Sequence, residues 1–282
     1  MDGPDQRRRL ALEAAVGVAA SLGVVAERPA ILADSNNTIV WLAPAPIVAK
    51  VGTSHFRDAE LVSLARELAV AAHLSRLGAP VVAPARAVAA GPHRWGDLTL
   101  TLWQYADPIG ELALAPAEAA ALLRTVHDGL AAFPGTLPSF ELELADARQL
   151  LRPERSPTLL ASDREFLLGV VDELEDALDG RVTEPIALHG SPHAGNWLRA
   201  AQGVLLLDFE TACRGPLEWD VAALDDAAVR MFNGIDLELL ALLRRMRSVC
   251  VVAKCWVEPN RALEVHEAAH VHLKLLRGQS LD

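Results

Sequence analysis

The sequence predicts an α+β chain in two parts: a small β-rich amino-terminal lobe over residues 1–104 and a larger helical lobe over 105–282. Three observations carry this reading. Short Ile- and Val-rich runs punctuated by Pro and Gly crowd the first third. Apolar residues at three- and four-residue spacing dominate the remainder. Between them, from Gln104 to Pro108, the pattern changes character. Two lobes with a cleft between them are a common setting for a ligand.

The elements follow in order. Leu10, Leu12, Ala15, Val16 and Ala19 have the spacing of an amphipathic first helix. Residues 36–42 (NNTIVWL) and 46–51 (PIVAKV) read as two strands, with Pro44 and Pro46 in their connection. Residues 57–77 form a long helical pattern that stops at Gly78, with Pro80 beyond. Two further strands are expected, from Val81 to Ala89 and at 98–103 (LTLTLW), joined by the turn-rich GPHRWGD. Residues 116–132 and 162–179 read as helices, and the loop between them holds Pro134, Gly135 and Pro138. Two short apolar strands are expected within 185–210, and three helical stretches after them.

Composition narrows the function. With 282 residues, 51% of them hydrophobic, the chain is long enough to bury a real core. Lys and Arg number 26 against 37 Asp and Glu, a net charge of −11. Nucleic acid and anionic membrane are excluded as main partners, because both need a basic footprint. A cationic small molecule is compatible with this balance, as is plain solubility. Cys213, Cys250 and Cys255 form no C-x-x-C pair or disulfide framework, so a reducing cytoplasm is expected. Glu13 interrupts the early apolar run, which argues against a signal peptide. No uninterrupted apolar run reaches membrane-spanning length.

The chemistry concentrates in two stretches, ALHGSPHAGNWL at 187–198 and LLLDFE at 205–210. Phosphoryl transfer needs a cation on the phosphates, an acid to orient it, hard oxygen ligands for Mg²⁺ and a group that orients the attacking hydroxyl. Each has a candidate. Lys50 lies between aliphatic neighbours, so it points either into a cleft or to water from an edge strand. Glu60 and Glu67 on the next helix are its candidate partners, and Glu67 sits among Leu68, Ala69 and Val70. Asp208 ends an aliphatic strand, where an unpaired carboxylate is expensive. Asn196, twelve residues upstream, adds an amide oxygen suited to Mg²⁺.

The order His189-Gly190-x-x-His193-x-Gly195-Asn196, then Asp208-Phe209-Glu210, then Gly215-Pro216-x-x-Trp219-Asp220, resembles the aminoglycoside phosphotransferase/choline kinase-like family. That family shares the protein-kinase fold, with a small β-rich N-lobe and a helical C-lobe. Glu210 stands where protein kinases carry glycine. The resemblance covers nearly the whole chain and is strongest over 188–220; no glycine-rich phosphate loop is present, and residues 34–37 occupy its place. It implies an ATP- or GTP-dependent, Mg²⁺-dependent transfer of phosphate to a small-molecule hydroxyl. Lys50 would contact the α/β-phosphates and Glu67 would hold Lys50. Asn196 and Asp208 would bind Mg²⁺, and Trp103, Gln104 and Tyr105 would form the hinge against the base. His189 would shape the catalytic loop, Asp220 would brace it, and the acidic C-terminal half would line the acceptor site.

One position departs from the pattern. Ser191 occupies the place of the aspartate that accepts the hydroxyl proton. A serine orients a hydroxyl but has no useful basicity, and losing a general base typically costs about 10²–10⁴-fold in rate. His193 is either a substitute base or a packing residue of the loop. The alternative function is therefore a catalytically silent pseudokinase that binds nucleotide or a small ligand. A third reading comes from His266-Glu267-Ala268-Ala269-His270, which matches the H-E-x-x-H helix of zinc hydrolases. Only His272 and Asp282 follow it as further ligands, at unfamiliar spacings.

Overall fold

The computed structural model describes residues 4–35, 37–53, 57–110, 114–257 and 263–279. Its α-carbon contacts separate into two compact units. The first comprises residues 1–114, 121–135 and 193–212; the second comprises 115–120, 136–192 and 213–282.

The first unit is built on a five-stranded antiparallel sheet of order β1-β2-β3-β5-β4. Its strands are β1 (Ala30–Asp34), β2 (Asn37–Trp41), β3 (Ile47–Gly52), β4 (His93–Trp95) and β5 (Leu98–Gln104). Helix α1 (Pro4–Ser21) covers one face with Ala11, Ala14, Ala15, Val18 and Ala19, packed on Val40, Ala49, Val51, Leu100 and Leu102. The small side chains let helix and sheet approach closely. Helix α2 (Arg57–Arg76) follows β3, and its Leu64, Leu68, Val70, Ala71 and Leu74 are buried. A hairpin of β7 (Trp197–Ala200) and β8 (Gly203–Leu206) joins this unit through a parallel bridge from Val81 to Leu206.

In the second unit, β6 (Ile186–Leu188) pairs with β9 (Cys213–Gly215). Around them are helices α4 (Leu142–Leu150), α5 (Ala161–Leu178), α6 (Leu217–Val221), α7 (Asp226–Val229), α8 (Leu237–Cys255) and α9 (Leu263–Leu276). Helix α3 (Pro116–Ala131) begins in this unit and continues in the first. Asp236 caps α8 by accepting from the Glu238 and Leu239 amides. The helix then buries Leu239, Leu240, Leu243, Met246, Val249, Val252 and Ala253. Each fully buried Leu contributes about 2 kcal/mol, which makes α8 the spine of the unit. Gly215 sits against Phe140, where an added Cβ would lie 2.9 Å from the ring, so only glycine fits.

The expected strand at 81–89 does not form. Pro80 and Pro84 remove ladder donors, and the segment follows β5 through single bonds instead, Ala85 N–H to Leu102 C=O and Gln104 N–H to Ala83 C=O, both 2.9 Å. The expected GPHRWGD turn contains β4. Four helices rather than three follow residue 210 among the described residues. No described helix is long and apolar enough to cross a membrane.

Candidate active site

In the first unit the site is built around Lys50. Strand β3 lies between β2 and β5, with Lys50 opposite Ile39 and Thr101, so the edge-strand reading is excluded. The side chain is 8% exposed. A buried ammonium requires partners, and Lys50 has three. Glu67 offers both carboxylate oxygens at 2.9 Å, Asp208 Oδ1 lies at 2.8 Å and Glu210 Oε1 at 2.6 Å. Glu67 is thus the α2 partner among the described residues; the side chain of Glu60 lies outside them.

Three carboxylates on one ammonium leave an excess of negative charge. Burial, which alone would lower it, is outweighed at Lys50 by Asp208, Glu210 and Glu67, and its pKa lies well above the usual lysine range. Glu67 is pushed up to about 8, first by burial and then by Asp208 and Glu210, against the pull of Lys50.

Asp208 and Glu210 reach this point because the chain turns sharply after β8. Asp208 has φ 69° and ψ 65°, the left-handed region that L-residues rarely adopt, and a 3-10 turn at Phe209–Thr211 follows. Phe209, 1% exposed, anchors the turn. Arg66 of α2 donates to the Glu210 carbonyl, and Asn37 Nδ2 donates to Glu210 Oε1 at 2.7 Å. Asn196 is buried in a 3-10 turn, Ala194–Asn196, and its carbonyl accepts from the Leu207 amide at 3.0 Å. Asn196 and Asp208 are therefore carried on directly bonded backbone segments.

The carboxylates of Glu67, Asp208 and Glu210 each offer an oxygen within 4.8 Å of the others. An all-oxygen set with surplus negative charge fits a hard divalent cation such as Mg²⁺. Glu210 was legible in the sequence only as an exception to the kinase glycine.

The expected hinge divides. Trp103 is buried, and its indole N–H bonds Thr101 Oγ1 at 2.8 Å. The Gln104 and Tyr105 amides are bonded to the carbonyls of Ala83 and Pro46. Tyr105 is half-buried and stacks on Trp41, centroids 4.4 Å apart and planes 4° from parallel. Trp41, which no spacing in the sequence singles out, thus provides an aromatic face beside Tyr105.

The second unit holds His189, Gly190 and Ser191. Asp220, fully buried on α6, accepts from the His189 amide at 2.9 Å and the Gly190 amide at 2.7 Å, one on each oxygen. Gly190 has φ 90°, which lets the chain turn between these two bonds. The Ser191 amide donates to His189 Nδ1 at 3.1 Å, so the neutral ring carries its proton on Nε2. Arg247 of α8 donates to the Gly190 carbonyl at 2.9 Å and to that of Trp219, with its guanidinium 4.1 Å above the Trp219 ring. Ser191 is thus set on a firmly held backbone.

His193, in the first unit, is exposed, and its Nδ1 accepts from the Gly195 amide at 3.1 Å. That bond uses the basic nitrogen of the neutral ring. His266 and His270 flank Trp256, with ring centroids 5.7 and 5.6 Å away, and His270 Nδ1 bonds the His266 carbonyl. Among the described residues, the one His/Cys/Asp/Glu group close enough to share a metal ion is that of Glu67, Asp208 and Glu210, not the H-E-x-x-H helix.

A β-rich unit carrying Lys50 and a helical unit carrying His189 to Ser191 define a protein-kinase-like fold. Solved structures agree. The amicoumacin kinase hAmiN in complex with AMP-PNP, Ca2+ and Ami matches with a TM-score of 0.66 over 91% of each chain, at 14% identity. The choline kinase LicA from Streptococcus pneumoniae gives 0.65 over 94% of this chain and 98% of its own, also at 14%. The AMP-bound spectinomycin phosphotransferase APH(9)-Ia gives 0.62 over 95% and 98%, at 12%. No curated protein matches in sequence. The profile of the phosphotransferase enzyme family matches residues 29–244, and the chain belongs to that family.

Proposed function

We propose that this chain is a cytoplasmic small-molecule phosphotransferase that moves the γ-phosphoryl group of ATP or GTP to a hydroxyl, with Mg²⁺, at a rate limited by Ser191. The observation that carries the reading is the buried Lys50 ammonium bonded to Glu67, Asp208 and Glu210. A cation held this way on a central strand suits phosphate recognition, and family membership supports it. The net charge of −11 suits a cationic acceptor.

In this reading Lys50 binds phosphate oxygens and Glu67 holds it in place. Asp208 and Asn196 would hold the metal ion, with Glu210 beside them. The ion, when bound, offsets charge on the phosphates. Trp103, Gln104 and Tyr105 place the base, with Tyr105 and Trp41 supplying the aromatic surface. His189 and Asp220 fix the backbone on which Ser191 orients the acceptor hydroxyl. That oxygen bonds to the γ-phosphorus as the bond to the bridging oxygen breaks. The proton leaves to solvent or a phosphoryl oxygen, since serine does not take it and the basic nitrogen of His193 is engaged. A loose transition state needs little help with that proton.

A silent nucleotide-binding relative is the second reading, favoured by Ser191 and by the engaged His193. Calorimetry with MgATP, followed by a phosphate-transfer screen over aminoglycosides, amino-alcohols and sugars with native protein and Ser191→Asp, separates the two. Transfer by native protein, accelerated in the variant, supports the enzyme. Transfer by the variant alone supports the silent relative. No MgATP binding sinks both.

A further inference from the structure

The β1–β2 turn contains no glycine, so it does not offer the close backbone approach of a glycine-rich phosphate loop. Its described residues are tied down by side-chain bonds instead. Asp34, at its start, accepts from Arg7 at 3.0 Å, Arg8 at 2.8 Å and the Thr38 hydroxyl at 2.9 Å. Burial raises the Asp34 pKa, but these bonds outweigh it and hold the carboxyl below its usual range. The Ser35 amide bonds the Asn37 carbonyl at 3.2 Å and closes the turn. Its far side presents the Asn37 side-chain amide.

What that amide meets is informative. Glu210 Oε1 takes Asn37 Nδ2 at 2.7 Å and Lys50 Nζ at 2.6 Å on the same oxygen. An ammonium has three N–H donors, and those of Lys50 are spent on three carboxylates. A phosphate oxygen therefore enters only if one carboxylate leaves. Glu67 gives two oxygens and is 2% exposed, whereas Asp208 and Glu210 give one each and are 35% and 25% exposed. Asp208 is the metal ligand of the function proposed above, and Glu210 alone shares its oxygen between Lys50 and Asn37, so Glu210 is the carboxylate that a phosphate oxygen replaces. A phosphate oxygen in its place would inherit both donors, so the exchange preserves two charge-assisted bonds.

Resting on the phosphotransferase reading above, the geometry points to Asn37 as a nucleotide-phosphate contact, with the Glu210 carboxylate as the internal anion that holds Lys50 and Asn37 in register until nucleotide displaces it. The phosphate contact that this turn supplies is thus a side-chain amide.

The test is calorimetric titration of native protein, Asn37→Ala, Asn37→Asp and Glu210→Gln with ATP and with adenosine, in the presence of Mg²⁺ or EDTA. Loss of one charge-assisted bond predicts about tenfold weaker ATP binding in Asn37→Ala, and a greater loss in Asn37→Asp, with adenosine binding unchanged. Glu210→Gln, a weaker competitor for Lys50, should bind metal-free ATP several-fold more tightly than native protein. Asn37→Ala with native ATP affinity, or with ATP and adenosine weakened alike, overturns the assignment while the function stands. Weaker or unchanged metal-free ATP binding by Glu210→Gln overturns the internal-anion role. Native protein that binds no ATP overturns the functional reading and this inference together.

Discussion

Replacing Asp220 tests whether the backbone from His189 to Ser191 is held as described. Its two oxygens accept one amide each, from His189 and Gly190, at 2.9 and 2.7 Å, and its side chain has no solvent exposure. Asp220→Ala strands both amides. A buried donor left without an acceptor costs about 1–3 kcal/mol, so the two together cost about 4 kcal/mol, a large share of a typical 5–15 kcal/mol stability. Asp220→Asn keeps one acceptor oxygen and should lose about 2 kcal/mol. Urea unfolding, followed by tryptophan fluorescence and aided by buried Trp219, measures both. The ordering matters more than either value. If the two variants lose the same stability, or Asp220→Ala loses less than about 1 kcal/mol, the acceptor argument is wrong.

Other outcomes follow from the same structure. Glu67, raised to about 8 from an ordinary 4.5, binds more protons folded than unfolded between those values. Its stabilising contribution is complete below pH 4.5 and lost as pH rises through 8, so stability should fall by about 3 kcal/mol between pH 6 and 9. Glu67→Gln should flatten that fall, and a native profile already flat would refute the raised pKa. Burial, reinforced by Glu143, pushes the Cys250 thiol up to about 12. Mass spectrometry at pH 8 should therefore find its alkylation about a thousandfold slower in folded than in unfolded protein. Comparable rates would count against it.

Much of this was legible because some residues carry strong local physics. A lysine among aliphatic residues left a cleft or a water-facing edge open, and an aspartate closing an apolar run marked a charge that needs a partner; Lys50 and Asp208 are in fact bonded to each other. The Gly78 stop and the periodicity before it match α2, which ends at Arg76. What escaped depends on tertiary context. Strand β1 is largely exposed on a sheet edge and shows no alternation. Helix α4 is nine residues long and follows a Pro- and Gly-rich loop. The stretch 81–89 had strand-like residues, but its prolines kept it from pairing continuously. Trp41 and Asn37 matter only through what folds against them, Tyr105 and Glu210, and no spacing in the sequence reveals such partners.

The bridge from Val81 to Leu206 has a consequence for synthesis. Leu206 bonds the Pro80 carbonyl and the Val82 amide, yet it emerges 125 residues after Val81. At about 5–20 residues per second, roughly 6–25 s separate the two on the ribosome. Throughout that interval the nascent sheet holds Lys50 with Glu67 as the only one of its three carboxylates yet made. The hairpin then supplies an apolar partner to the edge at Val81 and, just beyond β8, Asp208 and Glu210. A fragment ending at residue 114 carries the lysine without those two acids.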